Sequence, residues 1–174
     1  MKMLPLFAAA LAVTPLLANS APLQQGTTYA GLNYALLELS SDAPATTDAE
    51  PTAFVGKLGH FLLDQIAVEG RLGLGVTSDT VAGVDYDMDR LLGAYLTGYV
   101  PLGEQITAYA LVGVTEARFS ASGITATTDS GFTWGFGADL YASPKFAINA
   151  EYTRYLDETG YSFSAVSIGA RLPL

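Results

Sequence analysis

Six charged residues sit at alternate positions among small and polar neighbours: Lys57, Glu69, Arg71, Asp139, Glu151 and Arg171. Three cations and three anions on one face make a balanced ion-pair network feasible. Charges in a narrow interior are tolerated only when paired and hydrogen-bonded. The other reading is that some of them lie at rims in water. Arg90, Arg118 and Arg154 fall by parity on the opposite, apolar face, each near one end of its segment. Arginine there suits phosphate, which a guanidinium grips through parallel hydrogen bonds. The plainer reading is snorkelling toward water with no specific contact.

Other chemistry finds less support. His60 is the only histidine and falls on the apolar face close to a short turn, so Ser-His-Asp catalysis is not expected. Asp85, Asp87 and Asp89 alternate in a polar stretch, yet the run lacks the glycine and terminal glutamate of a calcium loop. A solvated acidic loop is expected there instead. Asp42, Asp48, Glu50, Asp79, Asp129, Asp157 and Glu158 make the other long connections acidic as well. They offer a surface for a cationic partner, although simple repulsion and solubility account for them equally well. Gly135-Phe136-Gly137 does not continue into a phosphate-binding loop. The chain has no cysteine, which excludes disulfides, thiolate metal sites and a cysteine nucleophile. A net charge of −9 argues against a nucleic-acid partner. No cofactor, no metal and no enzymatic activity are expected.

The elements that position these residues have a period of two. Ile66, Val68, Gly70, Leu72 and Leu74 alternate with Ala67, Glu69, Arg71, Gly73 and Gly75. Phe132, Trp134, Phe136, Ala138 and Leu140 alternate with Thr133, Gly135, Gly137, Asp139 and Tyr141. Phe146 to Tyr155 and Ala165 to Leu174 repeat the pattern, and weaker alternation fills Thr28–Leu39, Ala53–Leu62, Asp89–Val100 and Ile106–Phe119. In the Asp89–Val100 segment Leu92, Ala94 and Leu96 are placed outward, with a register that is free to slip by one. Eight strands result. Short turns near Leu63-Asp64-Gln65, Leu102-Gly103-Glu104 and Ser143-Pro144-Lys145 alternate with long connections near Ser40–Thr52, Thr77–Met88, Ser120–Ser130 and Asp157–Gly160. That is the layout of a transmembrane barrel, and an even strand number puts both termini at the short-turn, periplasmic end.

Residues 1–20 read as an export signal: Lys2, an apolar run from Leu4 to Leu17, then small residues that fit cleavage after Ser20 or Ala21. Residues 21–174 form the barrel. No later stretch reaches the roughly twenty apolar residues of a membrane helix. A soluble barrel would hold its apolar face inside. Here the glycine-rich, charged face fits the inside of an eight-stranded barrel, and Phe132, Trp134, Phe136, Phe146 and Tyr152 are left to face lipid.

Together these features resemble the small eight-stranded outer-membrane barrels of the outer membrane protein A and outer membrane protein X type. Tyr109-Ala110-Leu111-Val112-Gly113-Val114 is similar to the family's fifth-strand segment. Ser167, Gly169, Leu172 and Leu174 resemble the C-terminal signal read by the barrel-assembly machinery, although the family usually ends in an aromatic residue. Glu69 falls where the family carries an inward glutamate. The resemblance implies an all-β, up-and-down transmembrane barrel in the bacterial outer membrane, expected to be a monomer. Its partners would be outer-membrane lipid and lipopolysaccharide, the latter through Arg90, Arg118 and Arg154. Paired interior charges favour a structural or interaction role with a plugged polar interior; a narrow pore and a lipid A-modifying enzyme are the alternatives. The deacylase type resembles a His-x-Ser pair, whereas His60 is followed by Phe61 and Leu62.

Overall fold

The computed structural model describes residues 23–41, 51–77, 79–81, 84–121, 124–158 and 161–174. The expected export signal (1–20) and the acidic Asp42, Asp48 and Glu50 lie outside the described residues. The strands are β1 (Thr28–Ser41), β2 (Thr52–Leu63), β3 (Ile66–Thr77), β4 (Asp79–Val81), β5 (Val84–Pro101), β6 (Ile106–Ala121), β7 (Ile124–Ser143), β8 (Phe146–Glu158) and β9 (Tyr161–Pro173).

Apart from β3 and β4, consecutive strands pair antiparallel, and β1 pairs with β9 to close the ring. β3 pairs with β5 from Ile66–Gly98 to Gly73–Leu91. The three-residue β4 then takes over the same side of β5, with Asp79 opposite Tyr86. The ring is therefore an eight-stranded, all-antiparallel barrel in which β4 prolongs the line of β3. Closure satisfies the backbone without leaving an edge in lipid.

Side chains alternate as the period of two requires. Val55, Lys57, Gly59 and Phe61 of β2 are buried while Phe54, Leu58, His60 and Leu62 are exposed. On β7, Phe132 is 65% exposed and Thr133 is fully buried. Leu92, Ala94 and Leu96 of β5 do face outward. A register shift between Met88 and Arg90 lets both Met88 and Leu91 point inward.

Three connections differ from the sequence expectation. The stretches read as loops at Thr77–Met88, Ser120–Ser130 and Asp157–Gly160 include strand residues, because β5 starts at Val84, β7 at Ile124 and β8 runs to Glu158. Asp85, Asp87 and Asp129 lie on strands. β5 has 18 residues and β7 has 20, against the roughly 9–11 that cross the hydrocarbon. These hairpins therefore project well beyond the membrane. Apolar alternation fades outside lipid, which removed the signal that marks a strand.

Candidate functional site

The interior is built in layers. The central one is charged. Lys57 of β2, Glu69 and Arg71 of β3, and Glu151 of β8 all point inward by parity and are buried. Arg71 grips Glu151 with two hydrogen bonds, Nη1 to Oε1 at 2.5 Å and Nη2 to Oε2 at 2.8 Å. Its Nε donates to Glu69 Oε1 at 2.6 Å. Lys57 Nζ donates to Glu151 Oε2 at 2.9 Å. Two cations meet two anions, so the group is neutral. The remaining lone pairs are used too: the Tyr109 hydroxyl and Thr153 Oγ1 donate to Glu151, and the Tyr29 hydroxyl donates to Glu69 at 2.6 Å. A buried ion pair offsets its desolvation only with this density of partners.

Toward the end with the short turns lies a second pair. Arg171 Nη2 stands 2.8 Å from Asp139 Oδ2 and also donates to the Tyr141 hydroxyl. Its guanidinium lies over the rings of Tyr29 and Tyr99, 4.7 and 4.9 Å from their centroids. Face-on aromatic contact of this kind favours a desolvated cation. Tyr29, Phe61, Tyr99 and Tyr109 form a chain of tilted ring contacts beside it, with centroids 5.5, 5.2 and 5.5 Å apart. Leu23 is buried in the same cluster, brought there by a turn in which Gly26 (φ 85°) donates its N–H to the Phe61 carbonyl.

Toward the opposite end the interior turns apolar. Leu37, Val55, Met88, Leu91, Tyr155 and Phe163 are buried together, with Tyr155 stacked on Phe163 at 5.3 Å. The charged expectation for the interior is therefore incomplete: aromatic and aliphatic side chains fill much of it. Glycine makes room for them. Gly59, Gly113 and Gly137 stand opposite Tyr29, Tyr95 and Tyr109 in the ladders. Parity alone places these tyrosines inward; their glycine partners become visible only once the register is known. The space left among Tyr29, Lys57, Glu69, Tyr99, Glu151 and Arg171 is about 10 Å³, about what one water needs.

The six charges of the sequence reading thus fall into two neutral groups inside the barrel, joined through Tyr29 and Tyr99. The outer arginines are arranged differently. Arg90 and Arg118 stand opposite each other across β5 and β6. Arg90 Nη2 lies 3.1 Å from Glu116 Oε1, and Arg118 Nε lies 3.3 Å from Asp89 Oδ2. These pairings join residues on two strands, so the alternation within either strand carries no sign of them. Arg154 is half-buried on the outer face, opposite Trp134. His60 is exposed near the short-turn end, where its Nδ1 shares a 2.9 Å hydrogen bond with Thr28 Oγ1. Among the described residues no group of three or more His, Cys, Asp or Glu is arranged to hold a metal. Ser167 points inward, accepting from Asn33 Nδ2 at 3.0 Å, while Leu172 and Leu174 face outward. Gly169 packs against Asn33, so close that a Cβ there would lie 2.3 Å from its Oδ1.

The model of the outer membrane protein β-barrel domain matches residues 6–172. No curated protein sequence matches the chain. Among solved structures, Ail, the attachment invasion locus protein of Yersinia pestis, is 18% identical with a TM-score of 0.64, over 87% of this chain and 100% of that one. Neisserial surface protein A is 14% identical with a TM-score of 0.66, over 83% and 96%. OprG of Pseudomonas aeruginosa is 12% identical with a TM-score of 0.62, over 90% and 99%. At these identities the likeness is one of fold.

Proposed function

The chain belongs to the outer membrane protein β-barrel domain family, and from that premise we propose that it is a closed, non-conducting barrel with a structural and interaction role. It is an integral protein of the bacterial outer membrane. The observation that carries the proposal is the filled interior: a neutral charged layer, an aromatic layer and an apolar layer in series, with about 10 Å³ left at the charges. An ion needs a hydrated path, and the mutually paired and packed side chains of these layers argue against one. The role then rests on the outside of the barrel. The acidic ends of the projecting hairpins present a surface to cationic partners, and Arg90, Arg118 and Arg154 contact lipopolysaccharide phosphates at the outer interface. Exposed ion pairs contribute little stability, so Glu116 and Asp89 yield readily to a phosphate. Ser167, Gly169, Leu172 and Leu174 form the signal for the barrel-assembly machinery, and residues 1–20 form the export signal. The barrel works as a monomer and catalyses no reaction.

The experiment is ion conductance of the mature protein in planar bilayers, after heat-modifiable gel migration confirms insertion-competent barrels. Silence across many insertions is the expected result. Stable conductance steps would overturn the proposal and make the protein a narrow pore. Unchanged lipid A masses in cells with and without the gene are expected as well; a shifted acyl pattern would make it an enzyme.

A further inference from the structure

The mouth at the short-turn end is sealed. Ala67, Thr107 and Ala147 each stand second in their strands, one residue in from a short turn, and all three are buried. Side chains this small, so close to a rim, stay dry only when something lies over them. Part of the cover comes from the wall, where Tyr99 and Tyr141 are buried. The rest comes from the chain before β1. Of residues 23–27 only Leu23 is buried, in one cluster with Phe61, Ala67 and Tyr99, while Gln24, Gln25 and Gly26 are exposed.

This strap is tied down at each step. Gln25 donates its N–H to the Asp64 carboxylate at 2.9 Å, Gly26 to the Phe61 carbonyl at 2.8 Å and Thr27 to the Gln24 carbonyl at 3.0 Å. The Thr27 carbonyl accepts from the Phe61 N–H at 2.9 Å. Residues ahead of a first strand are loose unless held in this way. Gly26 stands third in the turn that the Thr27–Gln24 bond closes, and its φ of 85° suits glycine there. A Cβ on Gly26 would meet nothing within 4 Å, so glycine serves the backbone conformation and not the packing. One buried leucine and these hydrogen bonds are set against the entropy of five ordered residues, opposing terms of similar size. The wall is held by strand ladders all the way round. The strap is therefore the part of this end that opens locally while the wall stays shut.

We propose that residues 23–27 form a hinged stopper of the periplasmic mouth, with Leu23 as the plug and Gly26 as the hinge. Seated, Leu23 keeps water from the ring cluster in which Arg171 pairs with Asp139. Released, it opens a vestibule walled by Phe61 and Tyr99 and closed at its inner end by Lys57, Glu69, Arg71 and Glu151. The inference goes beyond the closed-barrel reading. That charged layer holds in both positions of the strap, so a barrel silent in conductance still opens and closes at its mouth.

The chain has no cysteine, so Ala67→Cys places a single thiol in the cluster that Leu23 joins. The test is the rate at which a bulky, water-soluble maleimide modifies it in the refolded mature barrel. Slow reaction is expected. Leu23→Gly should raise the rate about tenfold, and so should Gly26→Val. Gly26→Asn should leave it slow, because asparagine tolerates this backbone conformation. A thiol from Ala35→Cys, buried in the apolar layer at the other end, should react equally slowly in every background. Heat-modifiable migration verifies each fold. If Ala67→Cys does not fold, Leu23→Cys with and without Gly26→Val reads the same opening. Fast reaction at Ala67→Cys alone, or no gain with Leu23→Gly, means that the wall decides access and overturns the stopper. An equal gain at Ala35→Cys means that the whole barrel loosens, which overturns it too. Fast reaction with Gly26→Asn overturns Gly26 as the hinge.

Discussion

Tyr29 and Gly59 stand opposite each other in the β1–β2 ladder, and a Cβ on Gly59 would lie 2.1 Å from Tyr29 Cζ. The tyrosine reaches across its neighbour's backbone and occupies the volume that a side chain there would take. Tyr109 does the same over Gly137.

Gly59→Val should therefore lower stability in urea by about 1–3 kcal/mol, the usual range for overpacking. Tyr29→Ala in the same chain should remove much of that penalty, so that the double variant is more stable than the two single losses add up to. Strict additivity in unfolding from micelles would show that the two residues do not compete for space.

The two kinds of ion pair should behave differently. Glu151→Ala leaves Lys57 and Arg71 without their shared partner in a buried layer, at a cost of about 3–5 kcal/mol. Glu116→Ala frees Arg90 on an exposed face, at a cost of about 0–1 kcal/mol. The temperature at which the heat-modifiable gel band shifts should fall steeply for the first variant and barely for the second. Equal shifts would contradict the burial difference.

Trp134 is the sole tryptophan and lies outward among Phe136 and Tyr152. Brominated phospholipid should quench its emission strongly in reconstituted vesicles, whereas aqueous iodide should not. Efficient iodide quenching would place this face outside the lipid.

Gly26 adopts a left-handed conformation that lets Leu23 reach the aromatic layer. A β-branched residue there carries a penalty of about 1–3 kcal/mol. Gly26→Val should release residues 23–27 and speed their amide hydrogen exchange, with little change in exchange on β6 and β7.

Much of this was legible in advance. Lipid and lumen select opposite side chains, so the eight alternating segments and the inward placement of Lys57, Glu69, Arg71, Asp139, Glu151 and Arg171 follow from parity. The apolar layer around Met88 and Leu91 was not legible, because the register shift beside Arg90 turns both residues inward where strict alternation separates them. The projecting parts of β5 and β7 escape the pattern for a related reason: beyond the lipid no apolar face imposes alternation on the sequence. The partners of Arg90 and Arg118 depend on which residues the β5–β6 register sets side by side, which a single strand cannot encode.

The ring closes only where β1 meets β9. That junction has more than backbone: Asn33 reaches Ser167 on β9 and Asn149 on β8, and Leu174 donates its N–H to the Thr28 carbonyl. The first strand to emerge during synthesis must therefore wait, unpaired on one side, for the last. A chain that stops short of β9 keeps two open edges and cannot settle in lipid, so topology itself acts as a proofreading step that admits only finished polypeptides.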